Sequence, residues 1–240
     1  MKQRLDALLV ERGLVDTRNK AAALIMAGEV VVDENTWTKP GHQFANTVDI
    51  RLKNQMQYVS RAGEKLASVI EPLKLDFTDK LVLDVGSSTG GFTDCALQHG
   101  AAKVIGVDVG TNQLAYKLRT DNRVELHEQT DIRNFESDEL ADIVVIDVSF
   151  ISLTKILEHV ATLVKPEGQI VAMVKPQFEA GKAVADEHKG LILDEEVRQN
   201  ILAEFRAWAE NHFSIQVEAD SEVHGRHGNR ERFFLLINKT

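Results

Sequence analysis

Residues 83–110 read LDVGSSTGGFTDCALQHGAAKVIGVDVG, and this run limits the fold of the chain more than any other. An apolar stretch over 81–84 ends on Asp84, a glycine-rich turn runs from Gly86 to Gly91, and a helix is predicted over 92–99. A second apolar strand over 103–107 ends on Asp108. Small residues in the turn let the backbone approach a ligand closely, and the helix behind it offers free N–H groups. An acid about twenty residues past the first glycine suits hydrogen bonds to a ribose diol. The run predicts a strand–turn–helix–strand unit with a nucleoside-type cofactor at its turn.

Spacing narrows the identity of that cofactor. A dinucleotide site uses G-x-G-x-x-G to bring a helix N-terminus onto a pyrophosphate. Here the order is Gly86-Ser87-Ser88-Thr89-Gly90-Gly91, with no glycine two residues after the first. Asp84 would also lie near the pyrophosphate. An acid there suits a cationic ligand better, such as the amino group of S-adenosylmethionine.

The 240 residues suffice for one large domain, or for a domain of ordinary size with a small module. A hydrophobic share of 43% and a charged share of 27% belong to a globular protein. No stretch approaches the roughly 18–20 consecutive apolar residues of a membrane span. The opening MKQRLDALLVERG carries charges inside its apolar run, unlike a secretory signal. Cys95 has no cysteine to pair with, so a buried core thiol and a cytoplasmic location are expected. The net charge of −9 argues against a generic nucleic-acid coat. Residues 1–59, however, carry eight Lys plus Arg against seven Asp plus Glu, while residues 60–240 carry twenty against thirty. Any nucleic-acid contact therefore needs a local basic face.

Two regions separate near residues 55–60, giving predicted domains 1–58 and 59–240. In the first, Leu5, Leu8, Leu9 and Leu14 form an apolar stripe, and Thr17 suits the N-cap of a helix over 18–27 closed by Gly28. Val30, Val31 and Val32 predict a strand, Lys39-Pro40-Gly41 a turn, and 48–52 a closing strand. The second region predicts strands at 81–85, 104–108, 124–127, 143–147, 169–174, 215–221 and 232–237, with helices filling most gaps. The fold class is α/β: a doubly wound, mostly parallel, seven-stranded Rossmann-like sheet with a small N-terminal α+β module. The long polar stretch over 176–194 follows a strand end and reads as a functional or mobile loop.

Four ionisable residues stand at element boundaries facing the presumed cofactor edge: Lys65, Asp147, Lys175 and Glu231. In open α/β sheets the ligand crevice lies outside the C-terminal strand ends. An antiparallel last strand would bring Glu231 to that same edge. A solvated strand end is as good a reading for any one of them, but two lysines and two acids converging on one crevice suit proton removal from a hydroxyl that attacks a methyl group.

The motifs VSRAGEKL, LDVGSSTGGFTD, DVSFISL, VKPQFEAG and HGNRE, in that order, resemble the FtsJ-type RNA 2′-O-methyltransferases. With the N-terminal helices and the Lys39-Pro40-Gly41 turn, nearly the whole chain resembles the TlyA family, often labelled hemolysin A. The resemblance implies a catalytic tetrad of Lys65, Asp147, Lys175 and Glu231. It implies an S-adenosylmethionine site of Asp84, Gly86, Ser88, Gly90, Gly91, Asp108, Val109, Asp131 and Asp147, and cytidine ribose hydroxyls of ribosomal RNA as substrates. Residues 1–59 resemble the RNA-binding module of ribosomal protein S-four, with Arg4, Arg18, Lys20 and Arg51 as candidates for phosphate contact. The usual Asn-Gly hairpin of that module is replaced by Asp33-Glu34-Asn35. His42, His188, His224 and His227 show no metal-ligand spacing, and no metal is expected. A non-catalytic RNA-binding protein is the alternative. A membrane-lytic toxin and a small-molecule methyltransferase are the further readings, disfavoured by the lack of an amphipathic basic helix and by the N-terminal module.

Overall fold

The computed structural model describes residues 2–33, 35–52, 57–181, 184, 188, 191–223, 225 and 228–239. The chain divides into two compact units, Met1–Met56 and Gln57–Thr240. Tyr58 is 3% exposed and belongs to the apolar core of the second unit.

In the first unit β1 (Lys2–Arg4) runs into α1 (Leu5–Glu11), followed by α2 (Arg18–Met26). The strands β2 (Val30–Val32), β3 (Asn35–Trp37), β4 (Gln43–Ala45) and β5 (Ile50–Leu52) complete it. Thr17 caps α2, its hydroxyl oxygen accepting the Lys20 N–H at 3.2 Å, as the sequence predicts. Leu5, Leu8, Leu9, Ile25 and Val30 share one buried cluster. β2 is the centre of a three-stranded antiparallel sheet between β3 and β5, and β1 pairs with β4. The sequence does not predict β1, β3 or β4. These strands are three residues long and largely exposed, so no apolar periodicity marks them.

The second unit opens with α3 (Arg61–Ile70), then β6 (Leu81–Val85), α4 (Gly91–Gln98), β7 (Lys103–Val107), α5 (Tyr116–Arg119) and β8 (Val124–His127). It continues with β9 (Ala141–Ile146), α6 (Leu157–Val160), β10 (Val164–Val174), α7 (Pro176–Glu179), α8 (Glu195–His212), β11 (Phe213–Asp220) and β12 (Arg232–Asn238). The sheet order is β11-β12-β10-β9-β6-β7-β8. Neighbours from β10 to β8 are parallel, and β12 alone runs against both of its neighbours. Alternate side chains along the strands feed two cores. Leu83, Val144 and Ile170 pack with Phe205 of α8 on one face, while Val82, Ile143 and Val171 pack with Leu66 of α3 on the other.

The seven strands fall where the sequence predicts them, but the helices between them are fewer. β7 and β8 are joined through the four-residue α5, and β9 and β10 through α6 and short 3-10 turns. Turn-forming residues interrupt both connections: Asn112 adopts φ 54°, and Ser152 caps a 3-10 turn with its own side chain. β7 and β9 also end one residue earlier than predicted, which leaves Asp108 and Asp147 just past the ladder. Among the described residues no helix is long and apolar enough to cross a membrane.

α3 is seated on α4 through two glycines. A Cβ on Gly63 would overlap the Tyr58 side chain and lie 2.8 Å from the Gly91 carbonyl oxygen. A Cβ on Gly91 would lie 2.8 Å from the Gly63 nitrogen. Gly63→Ala is therefore expected to push the helices apart and destabilise the protein by about 1–3 kcal/mol. Urea unfolding of the variant beside the wild type measures this; an unchanged midpoint would show that the contact gives way freely.

Candidate active site

Asp84 closes the buried strand β6 and has no exposed surface. Its Oδ2 accepts the Thr93 N–H at 2.9 Å and the Thr93 hydroxyl at 2.6 Å. Thr93 stands in the first turn of α4, where helix N–H groups lack partners within the helix. Burial pushes the Asp84 carboxyl up to about 7, against the Thr93 hydrogen bonds and with the help of the nearby Asp147 and Asp108 charges. Its buried Oδ1 has no hydrogen-bond partner in the protein.

Beyond the C-terminal ends of the parallel strands lies a cleft of about 490 Å³. Gly86, Ser88, Asp108, Val109, Asp131 and Asp147, all expected at the cofactor, line it. Asp84, Gly90 and Gly91 are not in its wall. Asp108 shapes the loop: Oδ2 accepts the Ser88 N–H and Oδ1 the Gly110 N–H, each at 2.7 Å. Gly86 adopts φ 83°, and a Cβ there would stand 2.6 Å from the Asp147 carbonyl oxygen. Asp131 pairs with Arg133 at 2.6 Å, which holds its carboxyl at about 2.

The four ionisable residues form two ion pairs. Lys175 Nζ lies 2.5 Å from Asp147 Oδ1 and donates to Ser149 Oγ at 3.0 Å. Lys65 Nζ lies 2.9 Å from Glu231 Oε1. Lys65 stands one turn inside α3, not at an element boundary. β10 and β12 pair Val174 with Arg232, so one further step of that register sets Lys175 across from Glu231. The reversal of β12 thus brings Glu231 to the edge as expected. Glu231 is 3% exposed, and its Oε2 is buried without a protein partner. Beside Lys175, Phe150 is 93% exposed in the left-handed region at φ 65°, its ring 5.2 Å from that of Phe178.

Sequence reasoning missed several supporting side chains. Ser149 lies inside DVSFISL but is singled out only by its bond to Lys175. Glu179, inside VKPQFEAG, ties two loops together: it accepts the Ser152 hydroxyl at 2.5 Å and the Leu153 N–H at 2.8 Å. Burial raises its carboxyl, and those two bonds oppose the rise. Asp94, inside LDVGSSTGGFTD, accepts the Val59 N–H at 2.8 Å and pairs with Lys117 at 2.9 Å.

In the first unit Arg4 and Arg18 both pair with the buried Asp6, at 2.8 and 3.3 Å, yet stay half-exposed. Lys20 pairs with Asp16 at 3.3 Å, and Arg51 is exposed. His42 packs on Trp37 with ring centroids 4.4 Å apart. His224 and His227 lie outside the described residues, as does Glu34 of the Asp33-Glu34-Asn35 hairpin.

The FtsJ-like methyltransferase family matches residues 58–239, and the S4 domain matches residues 3–44. The chain is 37% identical, over 246 aligned residues, to the 16S/23S rRNA (cytidine-2′-O)-methyltransferase TlyA of Mycobacterium tuberculosis, covering 100% of this chain and 91% of that protein. It is 41% identical over 203 residues to hemolysin A of Brachyspira hyodysenteriae, covering 83% of this chain and 84% of that one. A solved structure described as a candidate hemolysin of Streptococcus thermophilus superposes with a TM-score of 0.74 at 39% identity, covering 99% of this chain and 89% of that one.

The raised carboxyl of Asp84 carries a pH signature. Between about pH 4 and about pH 7 the folded protein keeps a proton there that the unfolded chain has released. Stability relative to Asp84→Asn is expected to fall as pH rises through that window. Urea unfolding of both proteins at the two ends of the window measures the gap; a gap independent of pH would refute the assignment.

Proposed function

The chain belongs to the FtsJ-like methyltransferase family, and from that premise we propose that it methylates a ribose 2′-hydroxyl, that of a cytidine in ribosomal RNA, with S-adenosylmethionine as donor. The observation that carries this reading is Lys175, held by Asp147 and Ser149, because Asp147 and Ser149 also line the cleft. A proton acceptor thereby stands beside the pocket for the methyl donor.

The cleft fits S-adenosylmethionine in size and charge. Its volume lies in the ordinary range for small ligands. The acids in its wall, Asp108, Asp131 and Asp147, suit a ligand with an ammonium and a sulfonium, and they would repel a pyrophosphate. Asp84 Oδ1 is an acceptor without a protein donor. Each Asp108 oxygen keeps a lone pair for a ribose hydroxyl after taking one loop N–H. When bound, S-adenosylmethionine supplies an electrophilic methyl group and leaves as a neutral thioether.

Lys175, once its ammonium proton has passed to solvent, takes the proton of the ribose hydroxyl as the new carbon–oxygen bond forms. Asp147 stabilises the resulting ammonium, and Ser149 fixes the direction of Nζ. Lys65 holds Glu231 through Oε1, leaving Oε2 to accept from the hydroxyl and orient it. Phe150 offers an open aromatic face on which the target base can stack once it leaves its helix. Arg4, Arg18, Lys20 and Arg51 supply phosphate contacts, with Asp6 fixing two of the guanidiniums. Ribosomal RNA as partner supports a cytoplasmic location.

Lys175→Arg is expected to lose about 10²–10⁴-fold in rate, because a guanidinium keeps the charge but cannot accept a proton. Single-turnover transfer of a labelled methyl group to saturating ribosomal subunits checks this; near wild-type turnover would reduce Lys175 to an electrostatic anchor. Residues 57–240, cut so that Tyr58 stays in its core, are expected to fold and bind S-adenosylmethionine while losing most activity on ribosomal RNA. RNA binding by the full chain should weaken steeply with salt. Full activity of the shortened chain would show that the N-terminal unit is dispensable.

A further inference from the structure

Arg198 is out of keeping with its position. It belongs to the buried stripe of α8 with Ile201, Leu202, Phe205 and Ala209, and it is 2% exposed. Burying a guanidinium costs free energy that an apolar side chain of similar volume would not. What Arg198 does with its charge is specific. Nε donates to the Arg230 carbonyl oxygen at 2.9 Å, Nη2 to Asp220 Oδ1, and Nη1 to Glu195 Oε1 at 3.0 Å.

Asp220 gathers the rest of the cluster. Arg232 binds it through Nε at 2.7 Å and Nη2 at 3.0 Å, and Arg230 Nη2 lies 3.3 Å from its Oδ2. Burial alone would raise the Asp220 carboxyl, but Arg232 and Arg198 hold it below its ordinary value. The residues on both sides of Glu231 are thus fastened to one carboxylate on the neighbouring strand. The Glu231 carbonyl oxygen also accepts the Ser221 N–H at 3.0 Å. Arg230 and Arg232 go to Asp220, whereas the intervening Glu231 goes to Lys65 of α3. The alternation of a strand makes this separation possible.

We propose that Arg198 and Asp220 are positioning residues that act on methyl transfer through Glu231, an inference that rests on the reading of Glu231 as the acid orienting the ribose hydroxyl. Arg198 fixes the peptide before Glu231, and Asp220 fixes the side chains flanking it. Together they set where the carboxylate stands. A lysine at position 198 keeps the charge but lacks the fork that reaches the Arg230 carbonyl and Asp220 at once. Neither residue lines the cleft, so cofactor affinity is not at stake.

The test is a double-mutant cycle on the full chain. Single-turnover methyl transfer to saturating ribosomal subunits is measured for Arg198→Lys, Asp220→Asn, Glu231→Gln and the two combinations with Glu231→Gln, well below each melting temperature. Each anchor variant is expected to slow transfer by about 10–100-fold, as a displaced catalytic group does. Affinity for S-adenosylhomocysteine, by calorimetry, should stay within about twofold. In the Glu231→Gln background either anchor substitution should slow transfer by no more than about twofold further, because the group it positions is already gone. A general structural role would instead make the two losses multiply, which would overturn the proposal. Anchor variants with wild-type rates beside a slow Glu231→Gln would also overturn it, while leaving the reading of Glu231 intact. A wild-type rate for Glu231→Gln itself would remove that reading and the proposal together. If Arg198→Lys does not fold, the Asp220→Asn cycle decides alone.

Discussion

Asp84 stands at the end of β6 with no exposed surface, and its two protein hydrogen bonds both come from Thr93 in α4. Removing a carboxylate from water costs several kcal/mol, so the strand end and the helix start are held in one geometry that satisfies one oxygen. The rest of the site follows from that join. It aims the Gly86–Gly91 turn over the strand ends and sets Gly91 where only a glycine of α3 can meet it. α3 is thereby seated, and with it Lys65. Asp94, one residue beyond Thr93, holds the Val59 N–H just before α3. A short segment of β6 and α4 therefore decides the position of a lysine that is remote from it in the chain.

The second half of the site depends on the reversed strand. Five parallel strands, β10, β9, β6, β7 and β8, present their C-terminal ends to one edge, which supplies Asp108, Asp147 and Lys175 from three of them. A further parallel strand in the place of β12 would bring the residue after its end, not before its start. Because β12 runs the other way, Glu231 arrives at that edge from the N-terminal side of its strand and meets Lys65. The two lysines are then divided between two acids. Lys175 faces the cleft through Asp147, and Lys65 is committed to Glu231. On the proposed function this division separates proton transfer from orientation, although the four residues look equivalent in sequence.

Much of this was legible before any coordinates. The apolar runs ending in Asp84, Asp108 and Asp147 and the cap at Thr17 follow from periodicity and from a few residue types with strong local preferences, whereas the reversal of the last strand entered only as the condition that would bring Glu231 to the edge. What escaped is what local pattern does not encode. β1, β3 and β4 are short exposed strands whose existence depends on pairing partners distant in sequence. Arg198 occupies an apolar-stripe position, so its burial depends on Asp220 and Arg230, which the helix pattern cannot foresee. Glu179 and Ser149 sit inside recognisable motifs, yet their roles arise only when the loops after β9 and β10 come together. Asp131, expected simply as a cofactor ligand, is also engaged by Arg133 two residues away.

The distribution of unsatisfied polar atoms separates a packed α/β fold from a working site. A buried acceptor left without a donor costs about 1–3 kcal/mol, and folded proteins keep few of them. Among the described residues seven buried side-chain atoms lack a protein partner, on Trp37, Ser60, Asp84, Ser87, Gln177, Glu231 and Asn238. Five of these residues belong to the motifs VSRAGEKL, LDVGSSTGGFTD, VKPQFEAG and HGNRE. Selection for stability alone would have replaced or paired them. Ion pairs satisfy Asp147 and Lys175 within the protein, whereas Asp84 Oδ1 and Glu231 Oε2 are acceptors that require a donor from outside the chain. A cationic amino group and a ribose hydroxyl are donors of the required kind. On the proposed function, the same two carboxylates, costly to the fold by themselves, orient the methyl donor and the acceptor hydroxyl.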